Sequence, residues 1–376
     1  MKIAINLLPY APGMQGGSEV YIRSIIKELG TIDKQNHYIL FISEDIKGEY
    51  LPKNNAAFLE VVVLKKDASR IKRIAYEQFV LPYYCFKYKV DLLISNYVVP
   101  ILSPSKTIGI IHDMQYKRMP DLFEKSKLYY WNLFIPLTIW KSELIGTVSH
   151  FSLSEIAHFY PKSKDKLFVT AEGVKQDIRD VCDKHIKDDI DKSNFILSVA
   201  TFGEHKNLKR LIEAMPKTVQ EQPSITLKLV GEARTPDAIA VKNELLKILE
   251  ENNISDNVDF LGFVSDQELA DLYRKCKLYV FPSLYEGFGL PLIEAQYCGA
   301  PVVCAEAGSL PEIGAESVVR FDPYSVDSIA HTISQTLNDE EVCKALVLDG
   351  YENIKKYTWK KAAEDLLENI YKLRRK

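Results

Sequence analysis

Short apolar runs alternate with amphipathic runs along most of the chain, and this alternation restricts the possible folds more than any other feature of the sequence. The apolar runs have the length of β-strands, and they are 3–8, 38–42, 58–64, 92–95, 107–112 and 143–148 in the first half and 195–200, 226–230, 259–261, 278–281 and 302–304 in the second. The runs between them place hydrophobic residues at helical spacing, as in 208–218, 238–251, 266–275 and 292–297. This alternation predicts an α/β fold, with parallel sheets that carry helices on both faces.

The chain has 376 residues, which is long for a single hydrophobic core, so two domains are expected. Between the two sets of strands, residues 180–194 are dense in charge and poor in hydrophobic residues, which is typical of a linker. We therefore predict a doubly wound domain over 1–180, a second over 195–355, and a final helix over 356–376.

Composition narrows the functional classes. Hydrophobic residues make up 47% and charged residues 26%, as in ordinary globular proteins, and the formal net charge of −3 gives no reason to expect a nucleic-acid partner. No run approaches the ~20 apolar residues that span a bilayer, and residues 1–9 are expected to form a first strand rather than a signal peptide. The six cysteines are scattered without the spacing of a metal site or a disulfide framework, which favours reduced core cysteines and a cytoplasmic location.

A glycine-rich turn links the predicted strand 278–281 to the helical run that follows. A strand, a glycine turn and a helix together present free backbone N–H groups to a phosphate, here those of Phe288, Gly289 and Leu290. Pro291 suits the first helical position, which would place Glu294 in the first turn and Glu286 in the loop above the strand. The turn therefore offers amides for a diphosphate and two carboxylates for hydroxyl groups.

The run from Phe281 to Val303 resembles the signature of the family 4 retaining glycosyltransferases. It carries Pro-Ser before the turn, Glu-Gly-Phe-Gly-Leu-Pro within it and Gly-Ala-Pro-Val-Val after it, with seven residues between the two glutamates. The resemblance extends over nearly the whole chain and is strongest from 195 to 323. It implies the GT-B fold, in which two Rossmann-like domains face each other across a cleft and ligands bind at the strand ends. It also implies that the helix after about residue 355 crosses back to the first domain.

Two further loops resemble parts of the family's donor site. The loop 200–208 matches a strand-end loop that usually closes with Arg-Lys-Asn, and Lys206 at a helix N-terminus suits a diphosphate. His205 stands where the arginine is usual, and it still offers one hydrogen bond when neutral. Gly16 and Gly17 match a glycine pair that contacts the diphosphate from the opposite domain. From its residues alone, that segment also fits a plain turn capped by Ser18.

The resemblance assigns the remaining site positions. It places His112, at the end of a predicted strand, against the donor sugar, and Asp113 either orients this histidine or meets the acceptor. It gives the donor-sugar hydroxyls to Glu286 and the ribose hydroxyls to Glu294. The residues that would shape the nucleobase pocket are Gly231, Phe263 and Val264. Glu172 stands where family members often carry asparagine.

No metal or other cofactor is expected. Asp189 and Asp191 match the Asp-x-Asp pattern of metal-dependent glycosyltransferases, but they lie in the charged segment 180–194 and are interpreted as solvated charges. Lys206, loop amides and helix dipoles would stabilise the departing diphosphate instead.

Two segments, 64–89 and 125–141, mix lysine and arginine with tyrosine, phenylalanine and tryptophan. Basic and aromatic helices can lie on an anionic bilayer. The alternative is helices that pack on the sheet with their lysines extended into water. At most a peripheral contact with the inner face of the membrane is predicted.

The sequence thus predicts a retaining, metal-independent hexosyltransferase of polysaccharide or glycan biosynthesis, with a nucleotide diphosphate sugar as donor and a saccharide or lipid-linked saccharide as acceptor. The loop from Thr201 to Asn207 resembles mannosyltransferases, which favours GDP-mannose over a UDP-sugar. The alternatives are a nucleotide-sugar epimerase on the same fold and a non-catalytic nucleotide-sugar-binding protein. A dehydrogenase is disfavoured, because the pattern Gly-x-Gly-x-x-Gly is absent from the first strand-to-helix turn.

Overall fold

The computed structural model describes residues 1–10, 16–52, 57–65, 69–184 and 192–375. The chain divides into two compact units, an N-terminal unit of Met1–Glu172 with Trp359–Lys376 and a C-terminal unit of Gly173–Thr358. The division between the units falls earlier in the chain than the predicted linker at 180–194.

The N-terminal unit is built on a parallel sheet. Its strands are β1 (Lys2–Asn6), β2 (His37–Ser43), β3 (Phe58–Leu64), β4 (Leu92–Asn96), β5 (Lys106–Ile110), β6 (Leu144–Thr147) and β7 (Leu167–Val169), in the spatial order β3-β2-β1-β4-β5-β6-β7. Its first helices are α1 (Gly17–Ile32), α2 (Arg70–Ala75), α3 (Leu81–Tyr88), α4 (Gln115–Arg118), α5 (Lys125–Lys141) and α6 (His150–Phe159). The central strand β1 is buried on both faces, which explains its unbroken apolar run Ile3-Ala-Ile5.

The C-terminal unit repeats this architecture. Its strands are β8 (Ser193–Val199), β9 (Thr226–Val230), β10 (Val258–Gly262), β11 (Cys276–Phe281), β12 (Val302–Ala305) and β13 (Val319–Phe321), in the spatial order β10-β9-β8-β11-β12-β13. Its helices are α7 (Gln176–Lys184), α8 (Leu208–Glu221), α9 (Pro236–Glu251), α10 (Asp266–Lys275), α11 (Leu290–Tyr297), α12 (Leu310–Gly314), α13 (Val326–Asn338) and α14 (Glu340–Asn353). Because all its strand pairs are parallel, the loops after β8, β9, β10 and β11 open at one edge of the sheet. The predicted α/β class with two doubly wound domains is confirmed.

The last helix, α15 (Trp359–Arg375), belongs to the N-terminal unit and packs on α1. Its buried side is apolar, and the Trp359 ring lies 6.1 Å from the ring of Tyr21. The hydroxyl of Thr170 donates a 2.9 Å hydrogen bond to the carbonyl of Ala362. The end of the chain is therefore part of the first unit's core.

The interpretation of 180–194 as a linker is wrong for its first part. Residues 180–184 end helix α7, which packs against α10 and α11 through an apolar stripe that includes Ile178, Val181 and Cys182. The charged residues that suggested a linker cover the exposed side of this helix. Asp189 and Asp191 lie outside the described residues.

Candidate active site

The loop between β11 and α11 has the predicted strand–turn–helix form. Gly289 precedes the helix with a φ of +103°, and a Cβ on it would lie 2.8 Å from the side chain of Leu310, so both conformation and space require glycine. The helix begins at Leu290, so the backbone N–H groups of Phe288, Gly289 and Leu290 lie at its N-terminus, as in anion sites. Two predictions are wrong here. Pro291 is the second helical residue, and Glu294 falls beyond the first turn.

Lys206 and Glu286 form an ion pair at the mouth of this loop, with 2.6 Å between Nζ and Oε1. Both side chains are largely buried. Asn207 sets the position of the lysine, because its buried Nδ2 donates to the carbonyls of Pro282 (3.1 Å) and Pro323 (2.8 Å) and so ties the start of α8 to the end of β11. The structure thus brings two predicted donor-site residues together.

His205 lies beside this pair, and its carbonyl accepts a 2.8 Å hydrogen bond from the N–H of Leu284. Burial, together with the neighbouring charge of Lys206, lowers the pKa of His205 to about 4. The imidazole is therefore neutral at pH 7. It can donate one hydrogen bond, but it does not supply the second positive charge that an arginine would bring.

Glu294 is buried within the C-terminal unit and faces a lysine that sequence reasoning missed. Lys175 Nζ lies 3.9 Å from Glu294 Oε1 and 3.1 Å from Asp266 Oδ1. Burial alone would lower the pKa of Lys175, but the two carboxylates outweigh this effect and raise it. Lys175 follows β7 in sequence without any recognisable motif, so its role is visible only in the fold.

The predicted nucleobase residues have different environments. Gly231 has a φ of +147°, and a Cβ there would lie 1.9 Å from the carbonyl oxygen of Ala200, so the fold itself requires this glycine. Phe263 is 56% exposed, with the Arg234 guanidinium 5.9 Å from its ring centre, and Val264 next to it is half-buried. The exposed face of Phe263 can stack on a planar base.

The glycine pair begins helix α1. Gly16 is the N-cap residue and Gly17 the first helical residue, and a Cβ on Gly16 would meet no described atom within 4 Å. The predicted cap by Ser18 is wrong, since Ser18 lies inside the helix and its carbonyl accepts a hydrogen bond from the Tyr10 hydroxyl. Without side chains, Gly16 and Gly17 let a ligand approach the backbone closely.

His112 lies two residues beyond the end of β5 and is only 6% exposed. Its Nδ1 is 3.6 Å from Glu172 Oε1, and its Nε2 is buried without a hydrogen-bond partner in the described part of the chain. The ring packs edge-on against Tyr21 at 5.1 Å. One nitrogen is thus placed beside a carboxylate and the other is available to a ligand. Glu172 therefore provides a polar group at the position where family members often carry asparagine.

Asp113 lies two residues before α4, and its Oδ1 accepts a 2.9 Å hydrogen bond from the N–H of Gln115. Its Oδ2 lies 3.5 Å from the hydroxyl of Tyr97. Tyr97 was missed by sequence reasoning because a tyrosine after a strand carries no signal of its own. Its ring centre is 5.4 Å from that of His112.

Helices α3 and α5 each have a buried and an exposed side. Cys85 and Tyr88 of α3 and Ile135 and Ile139 of α5 pack into the core clusters of the unit. Large apolar side chains remain outside, with Phe86 73%, Tyr129 76% and Trp140 71% exposed. None of the helices within the described ranges is long and apolar enough to cross a bilayer. Those ranges also contain no group of three or more His, Cys, Asp or Glu residues that could hold a metal.

Comparison with known proteins gives matches over both units. Residues 183–353 match the family described as "Glycosyl transferases group 1". O-antigen chain mannosyltransferase B of Escherichia coli is 28% identical over 274 residues, which cover 71% of this chain and 70% of that protein. Serotype-specific mannosyltransferase WbdA of Escherichia coli is 28% identical over 287 residues, and this match covers 72% of the chain but 34% of that longer protein.

The structural comparison extends over the whole chain. Sucrose-phosphate synthase from Thermosynechococcus elongatus aligns with a TM-score of 0.76 at 20% identity, over 99% of this chain and 98% of the other. At this identity the likeness shows the fold alone. It confirms the predicted GT-B architecture of two Rossmann-like domains.

Proposed function

We propose that this chain, whose residues 183–353 match the group 1 glycosyl transferases, is a hexosyltransferase that transfers mannose from GDP-mannose, with retention, to a saccharide acceptor in polysaccharide biosynthesis. The observation that carries the proposal is the Lys206–Glu286 ion pair in the loops that lead into α8 and α11. The choice of mannose rests on the mannosyltransferases named among the relatives.

In this proposal the C-terminal unit holds the donor. Lys206, His205 and the amides of 288–290 bind the diphosphate, and the resemblance adds Gly16 and Gly17 to this group. Glu294, fixed by Lys175, accepts hydrogen bonds from the ribose hydroxyls. Gly231, Phe263 and Val264 border the guanine base, with the exposed ring of Phe263 as the stacking surface.

The chemical step that we propose takes place on one face of the sugar. The bond between the anomeric carbon and the diphosphate oxygen breaks, the released oxygen takes the proton of the acceptor hydroxyl, and this hydroxyl oxygen forms the new glycosidic bond. No metal takes part, because Lys206 and the helix amides stabilise the leaving charge. Glu286 binds sugar hydroxyls. In an alternative route, Glu286 would attack the anomeric carbon and form a covalent glycosyl ester. The ion pair with Lys206 at 2.6 Å argues against this route, because it engages the carboxylate that would attack.

The decisive test measures binding and turnover of the donor. We expect GDP-mannose to raise the melting temperature more than UDP-glucose or ADP-glucose, since a ligand that binds only the folded state stabilises it. Incubation with GDP-mannose without acceptor should slowly release GDP and free mannose, detected by chromatography. Formation of a new nucleotide sugar without GDP release would instead indicate an epimerase. Binding without any GDP release, even with saccharide acceptors added, would indicate a non-catalytic protein.

We also propose that the exposed apolar side chains of α3 and α5 make a peripheral contact with an anionic membrane carrying a lipid-linked acceptor. The protein should sediment with vesicles containing phosphatidylglycerol more than with pure phosphatidylcholine vesicles. The double variant Phe86→Ser, Trp140→Ser should lose this difference at low salt. Equal sedimentation of the variant and the wild type would contradict the proposal.

A further inference from the structure

The loop that follows β12 contacts the glycine-rich turn between β11 and α11, and both belong to the C-terminal unit. Ser309, in the loop after β12, is fully buried. Its Oγ donates a 2.7 Å hydrogen bond to the carbonyl of Phe288, and its N–H donates a 3.2 Å hydrogen bond to the carbonyl of Glu286. One residue of a separate loop thus fixes two carbonyl groups of the turn.

Gly308 makes this close contact possible. Its φ of +61° is left-handed, and a Cβ on it would lie 2.7 Å from the backbone nitrogen of Glu286 and 3.0 Å from the carbonyl oxygen of the same residue. Backbone atoms cannot move aside as the end of a flexible side chain can, so any other residue would push the loop away from the turn. The glycine therefore keeps Ser309 within hydrogen-bond distance of the turn.

The bond from Ser309 Oγ sets the direction of the peptide group between Phe288 and Gly289. A trans peptide is planar, and its C=O and N–H point in opposite directions. Because the carbonyl of Phe288 points to Ser309, the N–H of Gly289 points away from it. This N–H lies directly before helix α11, where the helix dipole favours an anion.

Two apolar contacts hold the rest of the turn. The Phe288 ring is buried and packs edge-on against Tyr357, with 5.5 Å between the ring centres. The Gly289 backbone packs on Leu310, whose side chain would lie 2.8 Å from an added Cβ. These contacts fix the place of the turn, but glycine adopts either sign of φ, so they leave the 288–289 peptide free to rotate. The hydroxyl of Ser309 supplies the missing restraint.

We propose that Ser309 is a positioning residue for the donor, which holds the N–H of Gly289 towards the sugar-linked phosphate of the nucleotide diphosphate sugar. The inference rests on the proposed glycosyl transfer and adds to it a residue that does not itself touch the donor. Gly289 lies between Glu286 and Glu294 in the sequence, the residues that the proposed function gives to the sugar and to the ribose. Its N–H meets the diphosphate between them, and this bond strengthens as negative charge collects on the leaving oxygen.

Binding of two nucleotides separates this role from simple packing. Ser309→Ala removes the hydroxyl but keeps the backbone N–H that bonds to Glu286, so it releases the 288–289 peptide alone. The Kd of GDP, measured by titration calorimetry, should rise about tenfold, as for the loss of one hydrogen bond to a charged group. The Kd of GMP, which lacks the outer phosphate, should stay within about twofold of the wild-type value. Ser309→Thr retains the hydroxyl and should bind GDP as the wild type does.

Ser163→Ala is the matched control. Ser163 is also fully buried, and its Oγ donates a 2.7 Å hydrogen bond to the carbonyl of Tyr160, but it lies in the N-terminal unit. This variant should lose about as much melting temperature as Ser309→Ala and bind both nucleotides as the wild type does. Unchanged GDP binding in Ser309→Ala, equal weakening of GDP and GMP, or a threonine variant as weak as the alanine variant would overturn the positioning role. Failure of the wild type to bind GDP would instead overturn the proposed function.

Discussion

Replacement of Lys206 by alanine is expected to lower kcat/KM for mannosyl transfer about 10²- to 10³-fold, the usual effect of removing one preorganised charge from a developing anion. The lysine is fixed by Asn207 and paired with Glu286, so its charge needs little rearrangement to meet the diphosphate. Steady-state rates with GDP-mannose measure the loss. Lys209→Ala is the matched control, because Lys209 lies one turn along, is exposed, and pairs with Glu244.

Comparable rates for Lys206→Ala and Lys209→Ala would show that Lys206 does not stabilise the leaving diphosphate. The variant Glu286→Gln adds a second test, because it frees the lysine while it weakens hydrogen bonding to the sugar. If Glu286 binds the sugar hydroxyls, kcat should fall although the diphosphate is held more tightly. A rise in kcat would mean that Glu286 only holds Lys206 in place and does not bind the sugar.

At His205 the prediction concerns the gain of a positive charge rather than its loss. With a pKa of about 4 this imidazole is neutral through the physiological range, so His205→Arg adds a positive charge where the family usually carries one. The KM for GDP-mannose should fall by about tenfold, as for a charge-assisted bond to phosphate. His205→Gln, which stays neutral, should leave it within about twofold. A lower KM in the glutamine variant would show that charge is not the cause.

The parts of the site that sequence reasoning found are those built from consecutive residues. The turn from Glu286 to Pro291 was recognisable because amides, carboxylates and a helix start lie within one short run. Lys206 was recognisable because it lies in a second short run, the loop 200–208. The strands β7 and β13 were missed because three residues at a sheet edge are too few to show a period. Both strands complete the sheets without adding a residue to the donor loop.

The parts that were missed depend on contacts between distant segments. Lys175 meets Glu294 across more than a hundred residues of sequence, and Glu172 meets His112 only because β5, β6 and β7 are neighbours in the sheet. Tyr97 approaches His112 through a left-handed backbone that nothing in its neighbouring residues requires. The predicted cap by Ser18 was wrong for a related reason, since local preference favoured serine while the helix starts at the glycine before it.

The pairing of His112 with Glu172 leads to the second large effect. His112→Ala should lower kcat about 10²-fold, the scale of a group that exchanges hydrogen bonds with the reacting atoms. We expect the carboxylate 3.6 Å from Nδ1 to favour the tautomer that carries its proton on this nitrogen, which leaves the Nε2 lone pair for the reaction. Glu172→Gln should therefore lower kcat about tenfold with little change in the donor KM.

A fall in kcat without a change in the donor KM distinguishes loss of His112 positioning from general loss of structure. Melting curves with and without GDP-mannose verify that each variant folds and binds donor. His150→Ala, an exposed histidine of the same unit, should keep wild-type rates. Glu172→Asn restores the residue that family members often carry, and its amide oxygen can still accept a hydrogen bond from the Nδ1–H, so we expect it to retain more activity than Glu172→Ala. Equal loss in the two variants would mean that Glu172 acts through packing, and an active His112→Ala would exclude the histidine from the chemical step.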